Sequence, residues 1–159
     1  MLIVFPKGLT DKGTTPKWFM NILENYFHFD LDPCPVNWDG SFDGLQIPWK
    51  DKNYVNCPYS KKLAWVKKAK IEQDNGKMSV FFLPVDTSTQ WYHDWIFRYS
   101  MVLWIRGRVT SDLGKTPAFS SLLAIFFPYD RNAGTHISWN PKKQSLNEVL
   151  QLTEQEKCK

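Results

Sequence analysis

The chain has 159 residues, 43% hydrophobic and 23% charged, which supports one domain with a core of its own and excludes a low-complexity or disordered polymer. A formal net charge of +4 is a mild bias toward polyanions and excludes a dedicated basic arm. Cys34, Cys57 and Cys158 form no C-x-x-C pair, and His28, His93 and His136 stand at no ligand spacing with them. Neither a disulfide framework nor a bound metal is therefore expected. The opening "MLIVFPKGLTDKG" lacks the cationic lead and cleavage pattern of a signal peptide, and no segment is long enough to span a membrane. A reducing, cytoplasmic setting is the expectation.

In chain order, "TTPKWFMNILENYF" (14–27) predicts a helix with Thr15 as N-cap and Pro16 at its first position. Trp18, Phe19, Ile22, Leu23, Tyr26 and Phe27 form its apolar face. "FHFDLD" (27–32) alternates like a short strand and stops at Pro33. Residues 33–52 are rich in turn formers and read as a loop, with Trp38, Leu45, Ile47 and Trp49 packing it down. "NYV" (53–55) is a short strand running into "NCPYS".

Ser60 is placed to cap a helix over about 61–73, with Gly76 as its stop. "MSVFFLP" (78–84), "MVLWIR" (101–106) and "SSLLAIFF" (120–127) are unbroken apolar runs, as in strands covered on both faces. Thr87 or Ser88 would cap a helix over about 89–99, and "GRVTSDLGKTPAF" reads as a polar loop. Ser145 and Glu148 form a capping-box pattern opening a short terminal helix. Helices alternating with doubly apolar strands predict a three-layer α/β sandwich, single-domain over 1–159. Such sheets bind ligands at the carboxyl ends of their strands, where "LDPCP" and "NCPY" both fall.

"NCPY" carries a specific chemistry. An exocyclic amine on a base is a poor nucleophile because its lone pair is delocalised into the ring. The Asn56 side-chain oxygen can accept one amine hydrogen, and the Cys57 carbonyl, held by Pro58, the other. Together they favour a pyramidal, more nucleophilic nitrogen. Tyr59 can stack on the ring and align it. Taken alone, the tetrapeptide also reads as a helix-entry turn with Tyr59 packed at the surface.

The array "TTPKWF", "FHFDLDPCP", "DGLQIPW", "NYVNCPYS", "FFLPVDTSTQWYHDWI", "IRGRVT" and "SSLLAIFF", from about 14 to 127, resembles the phage-type DNA adenine-N6-methyltransferase (Dam-like) family. The remaining residues, about 128–159, would form a C-terminal extension. The resemblance implies a compact Rossmann-like fold using S-adenosylmethionine (SAM), with no separate target-recognition domain. It implies Asn56, Cys57, Pro58 and Tyr59 as the catalytic pocket. Thr15 and Pro16 would lie near the methionine part of SAM, Asp32 would face the cofactor, and Asp43 would lie near its adenosine. Two departures stand out. Cys57 replaces the family's usual first proline, and the Gly-rich turn after the first strand is absent, with Gly40 only well downstream.

Lys61, Lys62, Lys67, Lys68 and Lys70 read mainly as a solvated helix face, with Lys61 and Lys62 the ones placed to touch phosphate. Arg106, Arg108 and Lys115, in or beside the polar loop, are the expected DNA contacts. His93 and Asp94 read as the polar side of a helix, Asp86 and Thr87 as its cap region, and Trp91, Trp95 and Tyr99 as core. Trp38 and Trp49 are placed to line a pocket. The rival readings are a methyltransferase acting on RNA or on protein glutamine, and a catalytically impaired nucleic-acid-binding relative.

Overall fold

A computed structural model describes residues 13–156, with side chains through Gln151. The apolar run near the amino terminus and Cys158 lie outside the described residues. The domain is a mixed α/β structure around one five-stranded sheet. Its strands are β1 (Lys52–Val55), β2 (Met78–Pro84), β3 (Met101–Ile105), β4 (Ser121–Phe126) and β5 (His136–Trp139), in the order β1-β2-β4-β3-β5. The helices are α1 (Lys17–Phe27), α2 (Lys62–Asp74) and α3 (Leu146–Glu156), with a π-helical segment over Tyr92–Phe97.

β1 and β2 pair in parallel, as do β3 and β5, whereas β4 runs antiparallel to both of its neighbours, β2 and β3. The other four strands therefore share one direction, and their carboxyl ends share one edge of the sheet. Asn56, Val85, Arg106 and Asn140 follow those ends. Leu31 makes a single parallel bridge to Asn53 outside β1, so Asp32 reaches the same edge.

The period of two along each strand divides the core into two clusters. Val80, Phe82, Leu103, Leu123 and Ile125 face α1 and α3 through Phe19, Leu23, Phe27, Val149 and Leu150. Phe81, Leu83, Val102, Leu122, Ala124 and Phe126 face α2 and the π segment through Trp65, Val66, Ala69, Tyr92 and Ile96. No helix among the described residues is long and apolar enough to cross a membrane.

Three expectations are corrected. The strand expected over 27–32 is only the Leu31 bridge, because α1 continues to Phe27 and His28 then turns left-handed at φ 53°. Thr15 does not cap α1. The N-cap position is Pro16, and the backbone N–H of Lys17 donates instead to both carboxylate oxygens of Asp112, at 2.9 and 3.0 Å. Neither Thr87 nor Ser88 caps the helix over 90–99: the Ser88 and Thr89 hydroxyls bond back to Asp86 instead. The capping box at α3 forms as its pattern dictates. The Ser145 N–H donates to Glu148 Oε2 at 2.7 Å, and the Glu148 N–H donates to Ser145 Oγ at 3.2 Å. The Ser145 N–H and then the Ser145 hydroxyl, both donating to that carboxylate, hold Glu148 below its ordinary pKa.

Candidate active site

Asn56 follows β1 directly, and its side chain shares a face with Tyr54, two positions back. The residue is 3% exposed. Its Nδ2 donates to the Gly13 carbonyl at 2.7 Å and to Thr15 Oγ1 at 3.1 Å. A carbonyl can only accept, so the amide nitrogen must face Gly13, which fixes the orientation of the whole amide. The other end of the amide, Oδ1, is buried and has no hydrogen-bond partner among the described residues. A buried acceptor left unpaired carries a penalty of about 1–3 kcal/mol unless something arrives to bond it.

Thr15 is held in turn by a short hydrogen bond to the Tyr54 hydroxyl. Burial is the main reason the Tyr54 phenol is pushed well above the usual tyrosine range, and the nearby Asp32 carboxylate and Tyr59 push it further. Tyr54 thus stays neutral. Thr15, Asp32, Tyr54, Asn56 and Tyr59 form one neighbourhood, which draws together the lead-in to α1, the bridge at Leu31 and the end of β1.

Cys57 is fully buried in the cluster shared with Val55, Trp65 and Phe81. Its side chain is part of the core, where the apolar packing of a thiol suits it. Pro58 follows with φ −55° and ψ 126°, an extended geometry its ring pre-sets. Tyr59 opens a single 3-10 turn rather than standing out at the surface. It is 8% exposed and meets Phe119 edge-on at 6.1 Å. Ser60 lies inside that turn, and the N-cap position of α2 is Lys61.

Beside this turn lies a groove of about 470 Å³, lined by Cys34, Trp38, Phe42, Asp43, Pro58 and Lys61, among others. Asp43 Oδ1 accepts the Leu45 N–H at 2.9 Å, an Asx turn that leaves its second oxygen without a partner among the described residues. Trp38 is 53% exposed on the groove. Trp49 does not line it. That ring is buried, stacks with Trp65 and donates its N–H to the Gly44 carbonyl at 2.8 Å. Gly44 is the pivot of this loop: a Cβ there would sit 1.9 Å from the Pro33 carbonyl oxygen and 2.8 Å from the Trp65 ring. Asp32 Oδ1 accepts the Cys34 N–H at 2.9 Å.

The lysines of α2 divide clearly. Lys61 is exposed and lines the groove. Lys62 lies 4.5 Å from the Trp91 ring centroid and 3.9 Å from Asp86, Lys67 5.5 Å from the Trp95 centroid, and Lys70 4.8 Å from that of Tyr99. This ladder of cations on aromatic faces joins α2 to the helix over 90–99. Lys68 pairs with Glu72 at 2.6 Å. His93 and Asp94 are exposed. Arg106, Arg108 and Lys115 are all exposed, but Arg106 and Arg108 share a groove that Lys115 does not line.

Tyr54, Gly13, Gly44, Phe119 and Asp112 make contacts around this neighbourhood and were not singled out from sequence. Only Tyr54 carried a signal, its two-residue offset from Asn56.

The domain is thus α/β, with an Asn-X-Pro-Tyr turn at the carboxyl end of an edge strand and a buried amide oxygen that has no partner among the described residues. Residues 4–118 match the family described as DNA N-6-adenine-methyltransferase (Dam), and the chain belongs to that family. It is similar to a DNA N-6-adenine-methyltransferase of Escherichia phage T1, 29% identical over 131 residues covering 75% of this chain and 55% of that protein. The chain thus spans about half the length of the relative it matches. No solved structure matches it significantly.

Proposed function

We propose that the protein transfers a methyl group from SAM to the N6 amine of adenine in DNA. The observation that carries this reading is the buried Asn56 Oδ1, unpaired among the described residues while the same amide's nitrogen is pinned by Gly13 and Thr15. An acceptor oriented in advance and excluded from water is what an incoming N–H needs. The Cys57 carbonyl takes the second amine hydrogen, with Pro58 fixing the backbone that follows it. Both bonds draw the nitrogen toward a pyramidal, nucleophilic geometry, and no strong base is needed before transfer. Tyr59 and Phe119 form the aromatic wall against which the adenine ring is held. The base leaves the duplex to reach them, at a cost of a few kcal/mol.

The groove suits the adenosine of SAM. Trp38 and Phe42 offer apolar faces, and the unpartnered Asp43 oxygen offers an acceptor for ribose hydroxyls. Asp32 and the Thr15–Pro16 segment would hold the methionine end. When bound, SAM supplies an electrophilic methyl group on its sulfonium. The helices on both faces of a mixed sheet, four of whose five strands share one direction, support a Rossmann-like, three-layer domain, and the two-faced core supports treating the described residues as one unit.

Incubation with labelled SAM and separate DNA, RNA and protein substrates tests the reading. Label is expected in DNA, on adenine N6. Asn56→Ala is expected to abolish transfer while SAM binding persists, and full activity in that variant would sink the assignment. Transfer to none of the substrates, with DNA still bound, would instead identify a binding module.

A further inference from the structure

We infer that the C-terminal extension completes a four-cation groove for the DNA backbone, with Lys142 and Lys143 joining Arg106 and Arg108. This inference rests on the reading that DNA is the substrate. The groove, about 370 Å³, is lined by Trp18, Arg106, Arg108, Asn140, Lys142 and Lys143, among others. Its lining contains no acidic residue, and all four cations are exposed. None has a carboxylate partner among the described residues, whereas Lys62, Lys68, Lys70 and Lys77 all do.

The topology explains why residues so far apart in sequence meet. β3 and β5 run parallel and end together, and the Arg106 N–H donates to the Trp139 carbonyl at 2.7 Å. Arg106 and Arg108 leave the end of β3, and Lys142 and Lys143 leave the end of β5. The turn carrying the lysines is fixed by Asn140, whose Oδ1 accepts the Lys142 N–H and whose backbone carbonyl accepts the Lys143 N–H. The four charges are therefore presented by an ordered backbone, not by a loose tail. Residues 140–143 also lie beyond the 4–118 stretch matched by the family.

The groove shares the carboxyl edge of the sheet with Asn56. β1 and β3 are three strand spacings apart, so roughly 14 Å separates Asn56 from Arg106 at ~4.8 Å per spacing. That is about four nucleotide steps at ~3.4 Å of rise per strand. Trp18, on the groove wall, follows Thr15 by three residues and connects the two places through the start of α1. Contacts to phosphate fix register on a duplex without reading its sequence, which is what a methyltransferase needs from a groove beside its base pocket.

The test is binding of a short fluorescent DNA duplex to the full chain across a salt series from about 50 to 200 mM, by anisotropy. Lys142→Gln/Lys143→Gln is expected to reduce the magnitude of the log-affinity against log-salt slope by about 2, at about 0.9 per phosphate contact. Arg106→Gln/Arg108→Gln is expected to do the same independently, so the groove remains testable if one variant fails to fold. Lys142→Arg/Lys143→Arg is expected to keep the wild-type slope. Wild-type slope and affinity in both folded glutamine variants would overturn the inference. The expected losses in the glutamine variants, together with no methyl transfer to DNA by the wild type, would leave the groove standing and remove the methyl-transfer reading instead.

Discussion

The amide nitrogen of Asn56 donates to the hydroxyl of Thr15 at 3.1 Å, across 41 positions of sequence. This bond ties the residue that would grip the substrate amine to the segment that opens α1. The Thr15 hydroxyl is committed to Asn56 and Tyr54, and so it is not available to cap its own helix.

Thr15→Val keeps the shape of the side chain but removes the oxygen. Asn56 Nδ2 retains Gly13, so the amide is steadied by one bond instead of two, and the neutral Tyr54 hydroxyl loses its partner. A net cost of about 1–2 kcal/mol is expected, and a fall of about tenfold or more in single-turnover methyl transfer. Affinity for the DNA duplex should change much less, since Thr15 lies outside the basic groove. Unchanged turnover in a folded Thr15→Val protein would show that this bond does not position the amide.

The cap that Thr15 does not give comes from Asp112, 95 positions away. Its carboxylate meets the first helical N–H, where a negative charge also complements the helix dipole. The Trp18 indole N–H donates to the Thr110 carbonyl at 3.0 Å, which fastens the same loop to α1. Asp112→Ala is expected to lower stability by about 1 kcal/mol in denaturant unfolding. Asp112→Asn should recover most of that loss, because an amide oxygen still caps. Equal losses in the two variants would make charge, not capping, the source of the effect.

Much of this architecture is legible in sequence because it is local. β2 falls on the predicted 78–84 run itself, and β3 and β4 differ from theirs by a residue or two at the ends. An unbroken apolar run between turn formers has few other places to go. β5 escaped because "HISW" is short, mixed and half-exposed, with only Trp139 buried. The Thr15 cap failed for a different reason: the local pattern was present, but distant partners claimed the oxygen. Asn56, Pro58 and Tyr59 stand together in sequence, whereas the acceptor pair that pins Asn56 exists only once the lead-in to α1 has met β1. Lys142 and Lys143 carry no motif, and only the pairing of β5 with β3 sets them beside Arg106.

Cys57 is where the sequence departs from the family's usual proline, and the structure gives that side chain a place in the core. The backbone carbonyl, not the thiol, is the group assigned to the substrate. Cys57→Ala is therefore expected to cost about 1–2 kcal/mol of stability, for a small lost volume in a fully buried site, while methyl transfer by the folded protein persists. Denaturant unfolding and a transfer assay on one preparation separate the two effects. Loss of transfer without loss of stability would place the thiol itself in the reaction.

Gly44 gives the sharpest steric expectation. Its φ is not positive, so backbone freedom is not the reason for glycine. Close approach is: the Pro33 carbonyl oxygen occupies the space a Cβ would need, at 1.9 Å, and backbone cannot swing aside as a long side chain can. Gly44→Ala must push the 33–35 strand of the loop away from 43–45, which widens the groove that holds Asp43 and breaks the alignment of the Trp49 N–H with the Gly44 carbonyl. Overpacking of this kind costs about 1–3 kcal/mol. SAM affinity, measured by calorimetry on the folded variant, is expected to fall together with stability. Gly40→Ala is the matched control, since nothing lies within 4 Å of a Cβ there and its left-handed φ of 83° alone is strained. A Gly44→Ala protein that binds SAM as tightly as the wild type would separate the groove from the cofactor.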